Sequence, residues 1–93
     1  KKDDKSLYFD ESSINSFAYE LLNSGKTEEA IMVFGLNVKI FPESANAFDS
    51  LAEAYMKNGQ KELAVKNYEK TLALDPGNTN AQKMLEKLKN QDQ

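Results

Sequence analysis

Two turn signals recur in this chain at an interval of 34 positions, and that repeat limits the possible folds more than any other feature. Gly25 precedes Gly59 by one interval, and Pro42 precedes Pro76 by the same interval. Apolar residues keep the same interval in six pairs: Ile14 with Phe48, Phe17 with Leu51, Ala18 with Ala52, Leu21 with Tyr55, Ala30 with Ala64, and Phe34 with Tyr68. Self-similarity at a period of about 20–50 residues indicates one supersecondary unit used repeatedly.

Residues 45–78 hold the clearer copy, and their pattern predicts two helices joined by a turn. Apolar residues at i, i+3, i+4 and i+7 form the stripe of a first helix: Phe48, Leu51, Ala52 and Tyr55. Gly59 then stands where a helix C-terminal glycine is expected. A second stripe follows and ends before Pro76; its members are Ala64, Tyr68, Thr71 and Leu72. This copy is therefore predicted to be an antiparallel helical hairpin.

Polar residues at the starts of the helices repeat as well. Asp10, Ser44 and Asn78 stand one interval apart, and all three are residue types that cap helix N-termini. Thr27 is predicted to cap the second helix of the first copy. The first hairpin is accordingly predicted over residues 12–24 and 28–40, with Gly25 in the turn.

The sequence predicts an all-α fold, an α-α superhelix of two helical hairpins and a C-terminal capping helix. A chain of 93 residues has room for one small core. We assign residues 1–10 to an N-terminal tail and residues 11–93 to one domain, which comprises repeat one at 11–44, repeat two at 45–78 and the capping helix at 79–90. The predicted buried core is Phe17, Ala18, Leu21, Ala30, Phe34, Phe48, Leu51, Ala52, Tyr55, Ala64, Tyr68 and Leu72.

The order of these residue types resembles the tetratricopeptide repeat family. The second copy carries the matching residues Phe48, Leu51, Ala52, Tyr55, Gly59, Ala64, Tyr68 and Pro76. The first copy is looser, because Ile14 and Leu21 replace aromatic residues and Asn37 stands where the family has a small apolar residue. Asn37 is predicted either to weaken the packing between the hairpins or to be hydrogen-bonded inside it.

Composition argues against several classes of function. The net charge is −3, all twelve cationic residues are Lys, and neither Cys nor His is present. A nucleic-acid surface would show a basic excess and arginines, whereas thiol chemistry, histidine catalysis and the usual zinc sites need the missing residues. Two carboxylate pairs, Glu28 with Glu29 and Asp49 with Glu53, are interpreted as solvated helix faces. We expect a non-catalytic chain with no metal, no cofactor and no membrane insertion.

The resemblance implies a non-catalytic protein–protein interaction module, because first helices of this family line a concave groove that holds an extended peptide or partner protein. The residues assigned to peptide binding are Asn15, Tyr19, Asn23, Asn46, Asp49, Glu53, Lys57, Lys83 and Lys87. Tyr19, Leu22 and Met56 are expected to take apolar side chains of the ligand. The alternative is that so short a groove is only solvated surface.

The resemblance also distinguishes this groove from the carboxylate clamp with which heat-shock cochaperones of the family hold an acidic C-terminus. Asp49 and Glu53 would repel such a ligand. The positions of the clamp residues are occupied by different residue types here: Asn15, Tyr19, Ser50, Asn80 and Met84.

A second resemblance suggests another role. Residues 14–22 and 44–55 are similar to tetratricopeptide segments at the C-termini of bacterial secreted serine hydrolases and esterases. In that case the chain would be a structural appendage that aids docking or oligomerisation, and the catalytic residues would lie upstream. The chain is expected to be soluble. The sequence does not determine its cellular compartment, which is cytoplasmic, or periplasmic or secreted if the chain belongs to a hydrolase.

The N-terminal end of the array is predicted to need a cover, because a solenoid unit buries its apolar face only against neighbours. Ile14, Ile31 and Val38 are predicted to be exposed there. The spacing of Phe9 and Ile14 is that of a hydrophobic staple, although residues 7–9 could instead dock on a partner or an upstream domain. A homo-oligomer is a further possibility.

Overall fold

The computed structural model describes residues 10–91, which form five α-helices and no strand. The helices are α1 (Glu11–Asn23), α2 (Thr27–Ile40), α3 (Ala45–Lys57), α4 (Lys61–Leu74) and α5 (Thr79–Asn90). α1 packs on α2 and α3 packs on α4 as two hairpins, and α5 packs against α4. The predicted all-α superhelix of two hairpins and a terminal helix is confirmed.

The predicted caps hold three of the helix starts. Asp10, Ser44 and Asn78 each accept a hydrogen bond from a backbone N–H of the first turn, at 3.0, 3.1 and 2.9 Å. The prediction for α2 was wrong, because Thr27 is already helical and Lys26 is the N-cap, with no side-chain cap bond. All first helices therefore have a side-chain cap, whereas the second helices follow a tight turn.

Those tight turns are built on the two glycines that the repeat aligns. Gly25 and Gly59 have φ values of 84° and 80°, a left-handed conformation that glycine adopts without strain. After α1, the Lys26 N–H donates to the Leu21 carbonyl at 2.9 Å, and after α3 the Gln60 N–H donates to the Tyr55 carbonyl at 2.9 Å. This 6→1 bond is the mark of a Schellman motif, so the two hairpins turn in the same way.

The core consists of two clusters, one at each junction between successive units. The first joins the first hairpin to α3 and contains Ala18, Leu22, Ala30, Phe34, Leu51 and Ala54. The second joins the second hairpin to α5 and contains Ala52, Ala64, Tyr68, Ala81, Leu85 and Leu88. Alanines on facing helices let the backbones approach, and larger side chains fill the space around them.

One predicted core residue is on the surface. Phe17 is 53% exposed, whereas Leu51 and Leu85, which follow it by one and two intervals, are 5% and 8% exposed. Leu51 and Leu85 each pack against the preceding hairpin. Phe17 has the same orientation in the first hairpin, where no preceding hairpin lies among the described residues. The prediction failed because burial at this position depends on a neighbour.

Four further predicted core residues are only half-buried, namely Leu21, Phe48, Tyr55 and Leu72. The predicted exposure of Ile31 and Val38 at the N-terminal end was also wrong. Both are half-buried and pack on the cluster that includes Leu51 and Ala54 of α3, so they face the second hairpin. Residues 7–9, and with them the predicted staple, lie outside the described residues.

Asn37 is fully buried and only partly satisfied. Its Nδ2 donates to the Glu11 carbonyl at 3.3 Å, but its Oδ1 has no hydrogen-bond partner among the described residues. The side chain is therefore hydrogen-bonded, to α1 of its own hairpin, whereas a weakening of the packing between the hairpins stays a prediction.

None of the helices described between residues 10 and 91 is long and apolar enough to cross a membrane.

Candidate peptide-binding face

The three first helices, α1, α3 and α5, carry a row of polar side chains joined from one unit to the next. We call this the first-helix face and define it by Asn15, Tyr19, Asp49, Ser50, Glu53 and Asn80. Hydrogen bonds link Tyr19 of α1 to α3, and Asn80 of α5 to α3. The repeat explains the alignment, because Asn15 precedes Asp49, and Tyr19 precedes Glu53, by one interval.

Tyr19 makes the link between the first and second hairpins. Its hydroxyl donates to Glu53 Oε1 at 2.6 Å and lies 3.3 Å from Ser50 Oγ. A phenol has a single proton, so with that proton given to Glu53 the Ser50 hydroxyl is the donor of the second bond. The short distance to Glu53 is typical of a hydrogen bond to a charged acceptor.

An aromatic contact also holds the Tyr19 ring in place. It packs edge-on against Phe34, with ring centroids 4.9 Å apart and an interplanar angle of 78°, a favourable aromatic geometry. Burial raises the pKa of Tyr19 to about 12, and the bond to Glu53 adds to this effect. The phenol therefore stays protonated, and a donor, throughout the physiological range.

Asp49 links the second hairpin to α5. Its two carboxylate oxygens accept from Asn80 Nδ2 at 3.0 and 3.2 Å. Partial burial raises the pKa of Asp49, the Asn80 bond lowers it, and the nearby Glu53 carboxylate raises it further. The interpretation of Asp49 and Glu53 as a solvated face was incomplete, since both are half-buried and each is hydrogen-bonded to a neighbouring unit.

The structure divides the nine sequence-predicted site residues into two groups. Asn15, Tyr19, Asp49 and Glu53 are half-buried, and the last three of them form the hydrogen bonds just described. Asn15 Oδ1 is buried and has no hydrogen-bond partner within residues 10–91. The remaining five are exposed side chains on the same three helices: Asn23, Asn46, Lys57, Lys83 and Lys87.

The apolar part of the site prediction needs correction. Leu22 is buried in the first core cluster, so its side chain is unavailable to a ligand. Met56 is half-buried and packs against the second cluster. Both residues lie on the side of their helix that packs against the next unit, so this side is used for the core rather than for a ligand.

Two further residues of the row, Ser50 and Asn80, are not among the nine residues assigned to peptide binding, although the family resemblance implies that both lie on the inner face of the first helices. Ser50 is buried and Asn80 is exposed, and both hydrogen-bond to predicted site residues. Asn80 follows Asn46 by one interval, and this register places it on the same face. The hydrogen bond of Ser50 depends on the position of Tyr19 on another helix.

No group of three or more His, Cys, Asp or Glu in the described part of the chain could hold a metal ion. A shallow hollow of about 330 Å³ lies away from the first-helix face, near the end of the hairpins where α3 turns into α4. It is lined by Glu28, Ile31, Tyr55, Asn58, Gln60 and Leu63. The first-helix face itself is an open surface that offers hydrogen-bonding groups.

Comparisons with known proteins agree with this architecture. The family model described as tetratricopeptide repeat matches residues 45–78. Cellulose synthase operon protein C of Escherichia coli strain K12 is 37% identical over 62 residues, which are 67% of this chain and 5% of that protein. The putative cellulose synthase operon protein C of Escherichia coli O157:H7 gives the same values. The chain thus spans about 5% of the length of these relatives.

A solved structure has the same fold. The Yersinia enterocolitica type III secretion chaperone SycD, in complex with a peptide of the translocator YopD, aligns with a TM-score of 0.81. The alignment covers 87% of this chain and 62% of that chain, at 22% sequence identity. None of these three similar proteins is a serine hydrolase or esterase, so they do not support the predicted role as an appendage of such an enzyme. The 34-residue period, the capped hairpins and the family model that matches residues 45–78 together support the assignment of this chain to the tetratricopeptide repeat family.

Proposed function

We propose that this protein-interaction module holds an extended peptide, or an extended segment of a partner protein, along its first-helix face. The observation that carries the proposal is the row of polar groups that runs across α1, α3 and α5 and is held by hydrogen bonds between the units. Side chains fixed in this way lose little conformational freedom when a ligand binds, so less of the binding free energy is lost in ordering them.

The spacing of the row suits an extended chain. Side-chain hydrogen bonds connect α1 to α3 and α3 to α5, so successive first helices lie on the order of 10 Å apart, a distance that an extended peptide covers in about three residues. Amide, hydroxyl and carboxylate groups can pair with the N–H and C=O groups of a peptide backbone. The three first helices could therefore contact a stretch of about seven to nine residues.

The charge of the face indicates which peptides it would accept. Asp49 and Glu53 are half-buried carboxylates that stand one helical turn apart, and partial burial strengthens their interaction with a nearby charge. A peptide with a Lys or Arg near these two residues is therefore favoured over an acidic one. The chaperone SycD, whose solved structure contains a bound translocator peptide, supports a peptide ligand for this fold without indicating its sequence.

We propose no catalytic role for this segment, because the polar row contains no nucleophile paired with a base. The partner is not inferred from the cellulose synthase operon proteins, since the match covers 5% of their length.

A peptide library screen tests the proposal. The full chain is labelled and incubated with an array of random nine-residue peptides, and the best binder is then titrated into ¹⁵N-labelled protein. We expect chemical-shift changes at α1, α3 and α5, and we expect Glu53→Gln to weaken binding about tenfold, the loss that follows from one charged hydrogen bond or ion pair. Glu62→Gln removes the same charge from the exposed face of α4 and should leave affinity unchanged. Shifts confined to α2 and α4 would contradict the proposal.

A further inference from the structure

The outer side of α2, which points away from the core, is apolar and exposed at its centre. The buried residues of this helix are Ala30, Phe34 and Asn37, and the helical period places Met32 and Leu36 on the opposite side. Met32 is 73% exposed and Leu36 is 48% exposed. The helix therefore presents two large apolar side chains to solvent, one turn apart.

The second hairpin shows that the fold does not require apolar residues at these two positions. Lys66 and Lys70 follow Met32 and Leu36 by one interval, and both lysines are exposed. The second helices of the two hairpins begin after the same kind of turn and pack in the same way. A charged outer side is therefore compatible with this architecture, so the apolar residues of α2 have no evident role inside their own hairpin.

Gly35 lies on the same outer side, and the described fold does not need a glycine there. Its backbone is ordinary α-helix, a Cβ added to it would meet nothing within 4 Å, and the residue one interval later is the exposed Glu69. A glycine inside a helix destabilises it by about 1 kcal/mol relative to alanine. What a glycine does permit is the close approach of another molecule to the helix backbone.

The two ends of this outer side carry opposite charges. Glu28 lies in the first turn of α2 and Lys39 in the last turn, and both are exposed. The order along the helix is thus acidic, large apolar, glycine and basic. An antiparallel copy of α2, centred between residues 33 and 34, places Glu28 opposite Lys39 and Met32 opposite Gly35, and the two-fold symmetry makes each contact twice.

We propose that the outer side of α2 is a self-association surface, against which a second copy of the chain packs its own α2 in antiparallel orientation. Met32 of each copy fills the space over Gly35 of the other, Leu36 flanks this contact, and Glu28 pairs with Lys39 at both ends. A parallel arrangement would set Glu28 against Glu28 and Lys39 against Lys39, so the charges favour the antiparallel one.

The contact is small, so the dimer is expected to be weak. One pair of crossing helices buries less than the roughly 1,200 Å² at the lower limit of standard stable interfaces, and exposed ion pairs contribute little. Monomer and dimer should therefore be in exchange. The first-helix face lies on α1, α3 and α5, so a dimer would leave it free and present two copies of it, which raises avidity for a partner with two binding segments.

Sedimentation velocity of the full chain, over roughly a hundredfold range of concentration, tests the proposal. We expect a reversible monomer–dimer equilibrium, which the double variant Met32→Lys with Leu36→Lys should abolish. Leu63→Lys introduces the same residue at an exposed apolar position of α4 and should leave the equilibrium unchanged. A chain that stays monomeric throughout, or a dimer that Phe17→Lys abolishes and the double variant does not, would overturn the proposal.

A charge exchange tests the antiparallel orientation. Glu28→Lys and Lys39→Glu should each weaken dimerisation about fivefold, because each substitution breaks both ion pairs of the symmetric contact. The combined variant again has opposite charges facing each other, so its dimerisation should return to nearly the wild-type strength. Single variants without effect, or a combined variant weaker than either of them, would contradict this orientation.

Gly35→Glu separates the contact between copies from the stability of the monomer. The new side chain has open space in the monomer, and glutamate is a better helix former than glycine, so Tm at low protein concentration should rise. Dimerisation should be lost, because the glutamate occupies the space that Met32 of the second copy fills. A variant with a raised Tm that still dimerises like the wild type would show that the copies do not meet at Gly35.

Discussion

The Tyr19 hydroxyl donates a 2.6 Å hydrogen bond to Glu53, the residue that follows it by one 34-residue interval. Because the two residues occupy equivalent places on α1 and α3, the bond joins the two hairpins on the proposed peptide-binding face. The same interaction also stabilises the fold, so its effects can be measured in the absence of any ligand.

We expect Tyr19→Phe to lower the free energy of unfolding by about 1 kcal/mol at neutral pH, a typical contribution of one hydrogen bond. Urea unfolding measures this change. Combining Tyr19→Phe with Glu53→Ala closes a double-mutant cycle, and effects that simply add would show that the two side chains do not interact.

The pH dependence of the same variant provides a separate prediction. The pKa of Tyr19 is raised from 10.0 to about 12 in the folded protein. Between these values the unfolded chain has lost the phenol proton while the folded chain still holds it, so stability falls as pH rises. We expect the difference between the wild type and Tyr19→Phe to narrow from pH 10 to pH 12, as followed by urea unfolding at each pH. A constant difference would contradict the raised pKa.

Asp49→Asn is expected to leave the stability at pH 7 unchanged or slightly higher. The substitution keeps an amide oxygen to accept from Asn80 and removes a like-charge pair one helical turn apart, a pair that destabilises a helix by about 0.2–0.5 kcal/mol. Because the pKa of Asp49 is raised in the folded state, its ionisation disfavours folding above that pKa. The advantage of the variant should therefore disappear as pH falls below the ordinary carboxyl range. Thermal unfolding from pH 3 to 7 tests this, with Glu62→Gln as the control on an exposed helix face.

Positions 37 and 71 are equivalent in the repeat, and two single substitutions that give each position the residue of the other should have opposite effects on stability. Thr71 is fully buried and satisfied, with its Oγ1 donating to the Asn67 carbonyl at 2.9 Å, whereas Asn37 Oδ1 has no partner in the part of the chain that the structure describes. A buried polar group without a partner destabilises by about 1–3 kcal/mol. We expect Asn37→Thr to raise Tm and Thr71→Asn to lower it. A lower Tm for Asn37→Thr would mean that the bond to the Glu11 carbonyl outweighs the unpaired oxygen.

Enlarging the alanine at the close approach of α3 and α4 should overpack the second core cluster. Ala52 is fully buried there beside Ala64 and Tyr68. Ala52→Leu is expected to reduce stability by about 1–3 kcal/mol. Ala73→Leu makes the same change at an exposed position of α4 and should shift Tm little. An unchanged Tm for Ala52→Leu would contradict the tight packing.

An acidic peptide should bind poorly. The half-buried Asp49 and Glu53 carboxylates repel a negatively charged C-terminus, and the Tyr19 hydroxyl is already engaged with Glu53. Calorimetric titration with a peptide that ends in Glu-Glu-Val-Asp is expected to show no micromolar binding. The same peptide with Gln in place of both Glu residues controls for charge. Micromolar affinity for the acidic form would disprove the prediction.

The repeat in the sequence was sufficient to predict the helices, the caps of the three first helices and the glycine turns. Helical periodicity, a capping residue and a turn glycine are local features, so their consequences do not depend on the rest of the chain. Ser44 and Gly59 adopt the predicted roles for this reason. The error at Thr27 is a displacement of one residue, which arises because the Schellman turn at Gly25 carries the chain directly into α2.

Tertiary structure alone decided which of two equivalent residues is buried and which polar groups meet. Phe17 and Leu51 share a repeat position, yet only Leu51 has a described hairpin to pack against. Likewise the sequence indicated that Tyr19 and Glu53 share a face, but not that Ser50 lies within hydrogen-bonding distance of the same hydroxyl. Burial and hydrogen bonding between units depend on how the hairpins stack, because atoms far apart in sequence come into contact only through that stacking.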